Sequence, residues 1–113
     1  MAKIKCVYKM PGGPAHIGEI PNELKDFQFF VDGPIETVPL SCGALLVCNE
    51  EAKINGAHMN FFLRNKQTDE LWDFVCGPVV IVGTDGEEFE SLQEDLALQI
   101  CEELNRMPEL EVG

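Results

Sequence analysis

Two short apolar runs dominate the hydrophobic pattern of this chain. Ala44-Leu45-Leu46-Val47-Cys48 is preceded by the turn-forming Ser41-Cys42-Gly43 and stopped by Asn49-Glu50-Glu51. Val79-Val80-Ile81-Val82 is almost wholly β-branched and follows the break at Gly77-Pro78. Runs of this length are too brief for a typical helix. Because they do not alternate with polar residues, they read as strands buried on both faces. The pattern therefore predicts that both lie in the interior of one sheet.

The flanking segments alternate. Lys3 to Met10 reads as a strand with Ile4, Cys6 and Tyr8 facing inward. Pro11-Gly12-Gly13-Pro14 is a turn, and Ala15 to Ile20 returns as a second strand. Pro21 to Val31 reads as a helix with Leu24, Phe27, Phe30 and Val31 on one face, ended by Asp32-Gly33-Pro34 with Gly33 as the left-handed cap. Ile35 to Leu40 pairs through a hairpin with the Ala44 run, and Pro39 marks an edge or a strand end. Lys53-Ile54 reads as a short strand before the tight turn Asn55-Gly56. Ala57 to Thr68 has no clean period, so a helical turn and an ordered loop both fit. Glu70 to Cys76 suits a strand with Asp73 turned outward.

A final helix begins at the capping-box pattern Ser91-Leu92-Gln93-Glu94 and carries Leu92, Leu96, Ala97, Ile100, Cys101 and Leu104 as an apolar stripe. Glu109 to Gly113 reads as a loose tail. The expected fold is one α+β domain over residues 1–113. A single mixed or antiparallel sheet of about five to six strands would carry two main helices packed on it.

Composition supports a true core: 45% of the 113 residues are hydrophobic, which sets the chain apart from disordered acidic proteins. No apolar stretch is long enough to span a bilayer, and Met1 to Lys5 leads directly into strand-like residues without a signal-type apolar region. Five cysteines (Cys6, Cys42, Cys48, Cys76, Cys101) in such a context read as reduced thiols in the cytoplasm. The formal charge of −12 is unevenly placed. Asp85 to Gly113 holds ten acids against one base, Arg106, a net of −9. This balance argues against direct binding of nucleic acid phosphates or anionic membranes and leaves basic proteins as the expected partners.

Candidate chemistry is sparse. No C-x-x-C pair is present, so a Cys42/Cys48/His58 zinc cluster is only a minor alternative to buried thiols, and no metal site is expected. Gly12-Gly13 lacks the pattern of a phosphate loop, no calcium-loop pattern occurs, and no cofactor or catalytic motif emerges. The one compact group with mixed acid-base and anion-binding character is the loop Asn55 to Arg64. A binding site there would use Asn55, His58, Asn60 and Arg64 beside Asn49 and Glu50. Asp85, Glu87, Glu88, Glu90, Glu94, Asp95, Glu102 and Glu103 form the candidate acidic interaction surface.

Three segments carry a family resemblance. They are L-K-D-F-Q-F-F-V-D-G-P-I-E-T-V-P-L (Leu24 to Leu40), L-L-V-C-N-E-E-A-K-I-N-G (Leu45 to Gly56) and D-F-V-C-G-P-V-V-I-V-G-T-D-G-E-E-F-E-S-L (Asp73 to Leu92). Together they resemble the small proteins grouped as domain-of-unknown-function family 3846. In the family pattern Asn60 takes the asparagine place, while Phe61 stands where an arginine is frequent. The resemblance implies an α+β fold and a setting in phages, plasmids or conjugative elements, and it implies no reaction.

Two functions from different classes follow. The first is a non-enzymatic accessory protein of a mobile element that binds a basic host protein through its acidic surface. The second is a small-molecule- or metal-binding domain using the Asn55 to Arg64 loop. Self-association as a homodimer through Phe29, Phe61 or Phe62 is a further option.

Overall fold

The structure, a computed structural model, describes residues 2–113; Met1, part of the expected domain, lies outside them. At its centre β7 (Val79–Thr84) pairs antiparallel with β1 (Lys3–Lys9) on one side and β4 (Leu45–Asn49) on the other. Leu46 sits opposite Ile81, so the two apolar runs are neighbours as their pattern predicts. β2 (Ala15–Pro21) flanks β1 and β3 (Ile35–Pro39) flanks β4, giving the order β2-β1-β7-β4-β3. The two-residue β8 (Phe89–Glu90) folds back on the end of β7. Pro39 ends the edge strand β3, where its missing N–H costs no ladder bond on the open side.

β7 is apolar throughout because both its faces are covered. Val80 and Val82 point with Ile4, Cys6 and Val47 toward Phe27 of α1 (Leu24–Val31). Val79 and Ile81 point the other way, with Val7, Leu46 and Cys48, toward α2 (Glu94–Arg106) and a further layer of strands. In α2 the stripe buries Ala97, Ile100 and Leu104, with Leu92 buried just ahead of the helix, and leaves the carboxylates outward.

That further layer corrects the expectation of a single sheet. β5 (Met59–Asn65) lies between β6 (Leu71–Cys76), antiparallel to it, and β9 (Glu109–Val112), parallel to it. The segment without a clean period is therefore the middle strand of a second sheet. Register shifts between Met59 and Phe61 and between Leu63 and Arg64 break the alternation, and both Asn60 and Phe61 turn inward. Phe61, fully buried, has no surface for self-association, whereas Phe29 is 88% exposed.

The expected loose tail is β9, with Leu110 and Val112 buried beside Phe61 and Leu63. Lys53-Ile54 makes no strand, since residues 50–56 are all turn; Gly56 takes the positive φ of 75° that suits the Asn-Gly pair. Asp32 rather than Gly33 takes the left-handed position after α1, at φ 65°. Gly33 is needed instead for space, because a Cβ there would sit 2.7 Å from the Asn49 side chain. Ser91 does not cap α2, whose N-cap is Gln93. The Ser91 hydroxyl accepts the Lys5 N–H at 3.0 Å, and the Leu92 N–H continues the pairing to the Lys5 carbonyl.

Candidate partner-binding groove and acidic face

The polar residues around the Asn55 to Arg64 loop are not gathered into one concavity. Asn49 fastens α1 to β4: its amide donates to the Val31 and Asp32 carbonyls at 3.0 Å each, and its Oδ1 accepts the Glu51 N–H at 2.7 Å. Those are orphan carbonyls of a helix end, so Asn49 acts as a cap supplied from another element. Asn60 is 5% exposed and bridges the two sheets. Its amide donates to the Lys9 and Gly77 carbonyls at 2.9 and 2.8 Å, and its Oδ1 accepts the Lys9 ammonium at 2.8 Å. Arg64 grips β9 through a two-pronged pair with Glu109 at 3.1 and 3.0 Å. Glu50, Asn55 and His58 are exposed.

The acidic residues occupy three places. Asp85 organises the β7–β8 turn, where its carboxylate accepts the Glu88 and Glu87 N–H groups at 2.8 and 2.9 Å, which hold it below the usual aspartate range. Glu87, Glu88 and Glu90 project from that hairpin. Glu94 and Asp95 lie in the first turn of α2, where negative charge favours the positive helix end. Glu94 reaches Lys5 at 3.8 Å, a loose surface pair. Glu102 is exposed near the other end of the helix, and Glu103 is half-buried. Among the described residues no three His, Cys, Asp or Glu side chains come together to hold a metal, so Cys42, Cys48 and His58 do not form the zinc alternative.

The sequence pattern gives little sign of a further concavity. A groove of about 450 Å³ runs between β3 and β6, closed at one end by the turn Asn49 to Lys53. Leu63, Val75 and Cys48 lie at its base, while Trp72 and Phe74, 58% and 40% exposed, stand on the β6 side. Lys53 and Asp73 pair across its rim at 2.6 Å, which keeps the Asp73 carboxyl below its ordinary range. The same ammonium lies 4.4 Å from the Phe74 ring centre. Glu36 faces Cys48 across the β3–β4 ladder. Burial, and then the Glu36 carboxylate, push the Cys48 thiol up to about 12, so it stays protonated and is no nucleophile at neutral pH. The legible signal was Trp72-Asp73-Phe74: an edge strand whose outward positions are aromatic, where polar side chains are the rule.

The fold and these surfaces define a small α+β domain of two packed sheets, with an acidic helix and a groove between strand edges. The family model described as domain of unknown function 3846 matches residues 4–105, and the chain belongs to that family. No curated protein and no solved structure matches the chain. Among the described residues no helix is long and apolar enough to cross a membrane.

Proposed function

We propose that this is a non-enzymatic accessory protein of a mobile element that acts in the cytoplasm by binding a basic host protein through its acidic surface. The observation that carries the reading is the state of the carboxylates. Glu87, Glu88, Glu90, Asp95 and Glu102 are exposed on the hairpin and on α2, and no lysine or arginine lies within ion-pair distance of them among the described residues. Unneutralised charge of one sign costs stability through self-repulsion and raises the rate of encounter with a surface of opposite sign. The mobile-element setting rests on the family resemblance, and five free thiols fit a reducing compartment. The loop reading has less support, because Asn60 and Arg64 spend their polar groups inside the fold.

Retention of host proteins on the immobilised protein tests this, with the Glu87→Lys/Glu88→Lys/Glu102→Lys variant run beside the natural chain. Basic proteins should be retained at low salt, released at high salt and lost on the variant. Equal retention by the variant, or none at either salt, refutes the reading.

A further inference from the structure

We infer that the groove between β3 and β6 is a strand-addition site for an extended, basic segment of the partner protein, an inference that rests on the partner-binding reading above. The sheet edges make the argument. At the outer edge of β2, Asn105 of α2 takes both the N–H and the carbonyl of Ala15. The outer side of β9 is met by Leu40 and Ser41, whose N–H donates to the Glu111 carbonyl. Beyond Ala15 the β2 edge is open as well, at Ile17 and Glu19, but β2 lines no part of this groove, whereas the β3 and β6 edges both border it.

On β3 the free groups can be assigned. Glu50 donates to the Pro34 carbonyl and Leu40 to the Ala44 carbonyl. In an antiparallel ladder the bonded pairs recur at every second residue, so Glu36 and Val38 turn their backbone groups toward β4. Ile35 and Thr37 therefore present theirs outward, and Pro39 limits how far pairing can run. On β6 the Phe74 N–H is already taken by the Asp73 carboxylate at 2.8 Å. β3 thus supplies the pairing and β6 the wall.

Charge and shape select the occupant. Lys53 is committed to Asp73, which leaves Glu36 and Glu50 as carboxylates of the groove without a cation in ion-pair reach. Glu36 and Val38 share one face of β3, and Trp72 lies beside Val38. A strand added to β3 therefore places a lysine or arginine against Glu36. Two residues along, an apolar side chain falls against Val38 and Trp72. A second copy of the chain, itself carrying −12, is a poor occupant.

Trp72 is the only tryptophan and reports occupancy by its own fluorescence. The probe is a capped peptide of sequence Ser-Leu-Thr-Lys-Thr-Leu-Ser, whose leucines and lysine share one face. It should shift the Trp72 emission saturably. A glutamate-for-lysine peptide, a peptide N-methylated at alternate amides, and the Thr37→Pro variant should each bind about tenfold or more weakly. Proline is tolerated at position 37, where the N–H faces out of the sheet. Equal binding of the N-methylated peptide, no emission change with any peptide, or dimerisation through this edge in light scattering overturns the proposal. If peptide binding fails while the charge-dependent retention persists, only the groove is refuted. Loss of that retention refutes the partner reading itself.

Discussion

Lys9 is the residue whose position most constrains the interior. It is 5% exposed, and its ammonium meets the Asn60 side chain with no carboxylate partner. Because Asn60 also binds the Lys9 and Gly77 carbonyls, one amide joins β1, β5 and the connection between β6 and β7. Asn60→Ala leaves two carbonyls unpaired and the buried ammonium with only the long 3.5 Å bond to the backbone carbonyl of position 60, and should cost about 3 kcal/mol in urea unfolding. Lys9→Met leaves only a neutral oxygen unpaired and should cost less, roughly 1–2 kcal/mol. Burial lowers the Lys9 pKa from the ordinary 10.5, so below that value the unfolded chain binds the proton more tightly than the folded one. The natural protein should therefore gain stability relative to Lys9→Met as pH rises toward 10.5, and an unchanged difference would show that Lys9 is not buried as described.

At the scale of elements, β9 bears the sharpest prediction. Ending the chain after Pro108 removes Leu110 and Val112 from the core, along with the partner of Arg64. The loss should be roughly 3–6 kcal/mol by apolar burial alone, enough to unfold many small domains. A truncated chain with unchanged thermal unfolding would restore the loose-tail reading. The reason β9 was illegible is physical: four residues with one strong alternation, Leu110 and Val112, look like any polar terminus until β5 is known to be a strand. β5 was hidden in turn by its register shifts. By contrast Ala44 to Cys48, Val79 to Val82 and the α2 stripe are readable because each keeps one pattern from end to end, an unbroken apolar run in the two strands and a helical spacing in α2. The site fared differently. The acidic residues could be counted from the chain, whereas the groove is formed by two edges from distant segments, and only Trp72 and Phe74 hinted at it.

For the whole molecule, an acidic helix and hairpin share one small body with an open, aromatic-walled strand edge. The account holds that the charge draws a basic partner in and that β3 pairs with it. Backbone amide hydrogen exchange, compared between the free protein and its complex with the retained partner, tests this most directly. The Ile35 and Thr37 amides should become protected on binding. Protection confined to β2 or to α1, with Ile35 and Thr37 exchanging as in the free protein, would contradict it.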